Sequence, residues 1–419
     1  MSPIASYARL LRLSGPAYVV VAFLGRLPLA MSQLGTLLLV SSATGRYGAG
    51  GAAAGALAVA NAVGSPFAGS LADRIGQRPV VLVQSLAGAL GLVGIVLLAH
   101  ADAGEAALIG VAAATGLLMP QVGPLARVRW RPITRGTGAA QPRLVDAAFS
   151  YEGAADEASF VLGPALVGVI GVLVDPAGAL VVAAAVLAVF GTWFALHPSA
   201  AVAHEHRTRR SASETGRLVT GLLLTLLVAQ GLIGMVFGSS QTGATVLATA
   251  VGQPGVAGLT HATLGVGSVI AGLAVAGLPA RIGHERRMLG SALALFVLSL
   301  PLLLVDGLLA LVLVVLALGF AVAPYMISNF TLGERIVPPS RVGAAMTLLA
   351  AATGVGYALG SSLAGRLADT GGHTPAFAVT VTATAGAVVL SLCAQRPLRR
   401  ALAAREVEAP STTEAVPAS

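Results

Sequence analysis

Gly69-Ser70-Leu71-Ala72-Asp73-Arg74-Ile75-Gly76-Gln77-Arg78-Pro79 is a short polar break between two long uncharged runs. Asp73, Arg74 and Arg78 are the only charged residues between Arg46 and Asp102. The runs on either side are each long enough for a helix across a hydrocarbon layer, which takes about 20 apolar residues. The break therefore reads as a tight connection between two membrane helices. Asp73 closes the first of them, where the helix's own dipole disfavours a carboxylate by roughly 0.3–1 kcal/mol. It wants a cation or the N-terminus of another helix. Arg74 and Arg78 flank it, Gly76 permits the turn, and Gly69 lets a neighbouring helix come close.

The rest of the chain repeats the pattern. Of 419 residues only 10% are charged and 56% are hydrophobic, with a mean hydropathy of +0.86. Soluble domains carry about 25% charge, so a cytosolic enzyme is excluded. A net charge of +8 and a pI near 10.7 invite nucleic acid. The 25 basic residues, all arginine, are instead scattered between apolar runs, and nucleic acid is no partner. The single cysteine, Cys393, excludes an internal disulfide framework and any Cys-based metal site. His204-Glu205-His206 stands without further ligands, and neither a P-loop nor a Ser/His/Asp constellation is present. No resident metal, cofactor or catalytic centre is expected.

Charge-free intervals set the spans. The first runs around Gly15–Val40 and contains Arg26 and Pro28; its apolar continuation suits a retained span better than a cleaved leader. The second to fourth lie in the intervals Arg46–Asp73, Arg78–Asp102 and Glu105–Arg127. The fifth begins near Leu144 and reaches Asp175, and the sixth lies between Asp175 and Glu205. The interval Arg217–Arg281 is too long for one crossing and folds back at Gly252-Gln253-Pro254-Gly255, giving the seventh and eighth. The ninth to twelfth fill Arg287–Asp306, Asp306–Glu334, Arg341–Arg366 and Asp369–Arg396. With a cytoplasmic N-terminus, every arginine except Arg26, Arg46 and Arg366 falls on an inner segment. Twelve spans across the cytoplasmic membrane follow, with both termini on its cytoplasmic side.

The two halves repeat. Leu71–Gly76 after the second span is answered by Leu278–Gly283 after the eighth, with Ala280 where Asp73 stands. Pro120 in the fourth span is answered by Pro324 in the tenth, and Gly163–Gly168 in the fifth by Gly360–Gly365 in the eleventh. The expected organisation is a bundle over 1–197, a linker over 198–216, a second bundle over 217–396 and a disordered tail over 397–419.

On these residues the chain resembles the major facilitator superfamily. Gly69, Asp73, Arg74, Gly76 and Arg78 match its signature loop, and Gln77 departs from the basic residue usual there. The resemblance implies an all-α fold of two six-helix bundles that transports a small molecule by rocker-switch alternating access. It implies that the loop latches the bundles on the cytoplasmic side, with Asp73 facing the start of helix eleven. The second copy, lacking the acid, is expected to latch less. Helices one, four, seven and ten line the pathway in this family, which favours Gln33, Gln121, Gln230, Tyr325 and Asn329 as cavity residues. Interhelical hydrogen bonds are an equal reading for each. Gly163-Pro164 resembles the helix-five element of exporting antiporters, although Gly168 replaces the tighter double-glycine ending. Span four lacks the intramembrane arginine of drug/proton antiporters, since Arg127 stands at its cytoplasmic end.

Arg26 is the sharpest anomaly. An arginine at mid-membrane costs about 2.5 kcal/mol or more to insert and faces a cavity or an acid. Candidate acids are Glu152, Asp156 and Glu157; the first two share a helix face. Either Arg26 and one acid form a protonation-coupled switch, or Arg26 is a static partner and the acids cap the mouth. The lone His261 of span eight reads as hydrogen-bonded structure. The expected function is proton-coupled export by a monomer in the lipid bilayer. Uptake by proton symport and a non-transporting membrane partner are the alternatives.

Overall fold

Without water, a backbone in hydrocarbon must satisfy its own hydrogen bonds, so each uncharged interval becomes one helix. A computed structural model describes residues 3–45, 47–202, 220–253, 257–279 and 281–408. Among these residues the regular structure is entirely helical. Span one is Pro16–Thr44, span two Tyr47–Ile75 and span three Gln77–His100. Span four is two pieces, Glu105–Leu118 and Val122–Ile133. Span five is Gln141–Leu173, and span six runs from Pro176 to Leu196 through one wide turn at Leu187–Gly191. Spans seven and eight are Gly221–Ala250 and Ala257–Val275. Span nine is His284–Ser299 with a tighter turn at Leu300–Leu304, and span ten is Leu308–Ile336. Spans eleven and twelve are Val342–Gly371 and His373–Glu408. Eleven of these helices are long and apolar enough to cross a membrane, and Ala262–Val275 in span eight is a shorter apolar helix.

Prolines act differently from span to span. Pro28 leaves span one unbroken, and Pro324 leaves span ten unbroken. Pro120, its repeat counterpart, splits span four, because Asn61 of span two takes up the carbonyls freed there: its Nδ2 donates to Gly116 at 3.1 Å and Met119 at 3.0 Å. The last helix continues through Pro397 to Glu408, so the tail expected to be disordered from residue 397 is helical at first. A short helix not expected from sequence, Pro3–Ser14, precedes span one. The linker residues 203–219, the turn residues 254–256 and the side chain of His261 lie outside the described residues.

Within the first half, span two packs on spans one and four, and span one on spans five and six; within the second, span seven packs on eleven and twelve, and span eight on ten. Between the halves, span two meets span eleven and span five meets span eight. Glycines make the closest contacts. A Cβ on Gly356 would run into the Gly231 carbonyl, and one on Gly319 into the Leu264 carbonyl. Lipid is as apolar as leucine, so backbone proximity and dispersion carry the packing that water would otherwise drive. Large side chains such as Phe67, Leu90 and Leu304 are turned outward.

Candidate functional site

The contact expected of the signature loop is built on a helix that lacks its own cap. Span eleven begins after Arg341 with no side-chain cap, and the amides of a first helical turn have no partner within the helix. Asp73, at the end of span two in the other bundle, accepts a hydrogen bond from the Ala344 amide at 2.9 Å. A carboxylate disfavoured by one helix's C-terminus is thus placed at the positive end of another. Gly69 allows it: a Cβ there would strike the Thr347 hydroxyl and lie 3.1 Å from the Gly343 carbonyl. Gly76 turns the chain with φ +93°. Arg74 and Arg78 are exposed beside this contact.

Gln77, the departure from the family's pattern, has a local cause. Arg129 is fully buried, donates from Nε to Gln77 Oε1 at 2.8 Å, and donates to the Phe194 carbonyl and Ser199 hydroxyl, both at 2.9 Å. Gln77 Nε2 in turn donates to the Leu125 carbonyl at 3.2 Å. A basic residue at 77 would face a buried guanidinium and withdraw its acceptor. Gln77→Arg should therefore destabilise the N-terminal bundle by about 2–3 kcal/mol, the scale of stranding a charged hydrogen-bonding group in the interior. Thermal unfolding in detergent reads it; an unchanged midpoint would refute the pairing.

The second seam is held differently from its repeat. With Ala280 in place of an acid, span five supplies the carboxylate: Asp146 accepts from Arg335 of span ten at 2.7 Å and lies 3.3 Å from His284 Nε2 of span nine. Arg131 of span four makes a two-pronged ion pair with Glu334 of span ten, Nη2 to Oε2 being 2.9 Å. The helix Pro3–Ser14 adds a bond from the Tyr7 hydroxyl to the Leu273 carbonyl of span eight at 2.7 Å. Burial pushes the Tyr7 phenol up to about 12, so it stays a donor. The carboxylate missing from the repeat's second copy thus has a counterpart on another helix, Asp146 of span five.

Behind the latch lies a buried charge cluster. Arg26 reaches both Glu152, at 2.6 Å, and Asp156, at 2.8 Å, rather than one acid. Its Nε also donates to the Ala22 carbonyl at 3.0 Å. Arg127 holds the other oxygen of Asp156 at 2.8 Å, and Trp130 Nε1 donates to Glu152 Oε1 at 2.6 Å. This corrects the placement of Arg127 at the mouth of span four: it is buried and charge-paired, and its guanidinium sits 4.3 Å over the Phe330 ring of span ten. Two cations meet two carboxylates, so the cluster is balanced. Its geometry satisfies the acids and leaves Nε and Nη1 of Arg127 without hydrogen-bond partners. Glu157 is buried too, on the far side of the helix.

The amides expected to line a cavity are largely engaged with one another. Gln121 Nε2 donates to Asn61 Oδ1 at 2.5 Å, completing the span-four break. Asn329 Nδ2 donates to Gln230 Oε1 at 2.7 Å, and the Tyr325 hydroxyl to the Ala229 carbonyl at 3.4 Å, all three residues being fully buried between spans seven and ten. Gln33 is exposed on span one. Gly163 packs where a Cβ would lie 2.6 Å from that of Ala30, seating span five on span one, with Pro164 inside the helix.

Helices long and apolar enough to cross a membrane, packed in two groups with charges buried among them, define a multi-pass membrane protein. Residues 226–417 match the family model of the Major Facilitator Superfamily. Among solved structures, the human organic anion transporter MFSD10 is similar at 20% identity and TM-score 0.70, over 90% of this chain and 99% of that one. A bacterial homologue of the iron transporter ferroportin, solved outward-facing with soaked iron, is similar at 13% identity and TM-score 0.69, over 90% and 98%. The proton:xylose symporter XylE is similar at 14% identity and TM-score 0.65, over 91% and 95%. No curated protein matches by sequence. The family match thus covers the C-terminal part of the chain, and the fold of the whole is similar to that of these transporters.

Proposed function

We propose that the chain exports a small molecule across the cytoplasmic membrane in exchange for protons, as a monomer whose bundles, 1–197 and 217–396, rock about the linker 198–216. The observation that carries this reading is the set of cross-bundle bonds gathered at one end. Asp73 to Ala344, Arg131 to Glu334 and Asp146 to Arg335 all join different bundles, and all lie at the end bearing the arginine-rich loops. A static scaffold has no need of polar, reversible contacts there. With that end cytoplasmic, as the distribution of arginine requires, the chain stands closed to the cytoplasm and poised to release outward. Gly69, Asp73, Arg74, Gly76 and Arg78 then serve as the latch, and the charge cluster of Arg26, Glu152 and Asp156 stiffens the bundle that carries it. Gln33, Arg127, Gln230 and Asn329 keep hydrogen-bonding capacity to spare for a substrate, and Gly163-Pro164 shapes the neighbouring wall.

Inverted vesicles containing the chain, energised by a proton gradient and offered a panel of dyes, antibiotics, organic acids and sugars, test the reading. Export predicts a compound that dissipates the gradient with the wild-type chain and not with Asp73→Ala. Accumulation of that compound by intact cells instead would establish uptake. Silence across the panel, with the chain shown to be folded, would favour a non-transporting role.

A further inference from the structure

Glu157 is the third acid of span five and the one the cluster does not answer. It is buried to 5% exposure at mid-helix, and no ion pair to it occurs among the described residues. The charges around it are already spent. From span one, Arg26 is taken by Glu152 and Asp156; from span four, Arg127 is taken by Asp156. Asp156, next to it on its own helix, adds like charge. Span ten carries Glu334 and Arg335, engaged at the latch end with Arg131 and Asp146. The described side chains of span eight facing it offer only the Ser268 hydroxyl, which itself lacks a hydrogen bond of normal geometry.

Its surroundings are the moving seam. Span eight lies on span five through small residues: a Cβ on Gly265 would collide with Val161 and lie 3.9 Å from the Glu157 carbonyl, and one on Gly272 would lie 3.4 Å from Ala154. Span five belongs to one bundle and span eight to the other. A lone carboxylate closed into such a seam would be an uncompensated buried charge, which proteins avoid by neutralising the group. One carboxyl and one hydroxyl are too few oxygens for a metal cation, whereas a proton needs only the carboxyl.

We propose that Glu157 is the proton-binding site and acts as a proton-gated seam. It is neutral while spans five and eight close on it, and it ionises as the bundles part and water enters. The proton is held while the arginine-rich end is closed and leaves as that end opens. The Arg26 cluster, being balanced, keeps its charges throughout. This rests on the reading that the bundles alternate and deepens it by locating the coupled proton away from the Arg26 cluster.

The test needs no substrate, so it can succeed even if export fails. In a Cys393→Ser background, spin labels at Val174→Cys and Leu304→Cys mark exposed positions of opposite bundles at the end away from the latch. Their separation is measured in nanodiscs from roughly pH 5 to pH 9, the range over which buried carboxyls titrate. In the wild type, the ratio of the populations at the two separations should change by up to about tenfold per pH unit through the transition. Glu157→Gln should hold the acid-side distribution at every pH, and Glu157→Asp should restore a transition at a displaced midpoint. A pH response in Glu157→Gln like that of the wild type, or none in the wild type, would overturn the proposal. Should the Gln variant fail to fold, an unmoved midpoint in Glu157→Asp would do so.

Discussion

Arg26→Leu should lower the stability of the N-terminal bundle by about 3–5 kcal/mol, the cost of removing one partner from a buried ion pair. The loss falls unevenly. Asp156 keeps Arg127 at 2.8 Å, but Glu152, which is fully buried, keeps only the Trp130 indole at 2.6 Å. An indole donor does not neutralise a carboxylate in a medium where an unpaired charge is far more costly than in water. If the bundle unfolds as a unit of its length, the midpoint should fall by roughly 6–20 °C. The double replacement Arg26→Leu with Glu152→Leu should recover most of the loss, since exchanging a whole buried pair for apolar residues is often near neutral. Thermal unfolding followed by tryptophan fluorescence is suited to it, because Trp130 sits in the cluster, edge-on to Tyr18 at 5.2 Å. A single variant within about 1 kcal/mol of the wild type would show the cluster to be solvated and the argument misplaced.

How much of this was legible beforehand follows from what a sequence can display. Spans were legible because charge is costly in hydrocarbon, so gaps between charged residues map directly onto helices. Asp73 was legible because its discomfort at one helix end already called for another helix's start. Arg26 was legible as an anomaly, and its partners were narrowed to one helix face by the spacing of Glu152 and Asp156. Arg127 was not. Its neighbours Arg129 and Arg131 made it look like part of a boundary cluster, yet the three arginines point in different directions: Arg127 into the charge cluster, Arg129 toward Gln77 and Phe194, Arg131 across to Glu334. Helical rotation of about 100° per residue separates them, and only the orientation of the second piece of span four says which points where. The amides were ambiguous for another reason. Gln121 bonds Asn61, and Asn329 bonds Gln230, across helices far apart in sequence, and a single amide looks the same whether it awaits a substrate or a partner. The second seam was hidden because its carboxylates stand at other positions of the repeat and meet arginines, where Asp73 meets a backbone amide.

Asp73→Ala should shift the balance between closed and open states by roughly 10–150-fold toward opening at the arginine-rich end, the equivalent of losing a charged hydrogen bond of about 1.5–3 kcal/mol. The contact can be read directly. The first amides of span eleven have no acceptor within their own helix, and the cap residue Arg341 supplies none. Protection of the Ala344 amide against hydrogen exchange therefore depends on Asp73 in the opposite bundle. Exchange in the peptide spanning residues 342–347 should accelerate by the same factor on substitution, while amides at the middle of span eleven keep their helical partners and their protection. Gly69→Leu should produce the same local change by a different route, because the added side chain would force span two away from Thr347 and Gly343 without touching the carboxylate. Agreement between the two variants would identify closure of the seam, rather than the charge of Asp73 alone, as what protects the helix start. Unchanged exchange in Asp73→Ala would mean that the carboxylate is a passenger at this interface and that Arg131–Glu334 and Asp146–Arg335 hold the bundles together without it.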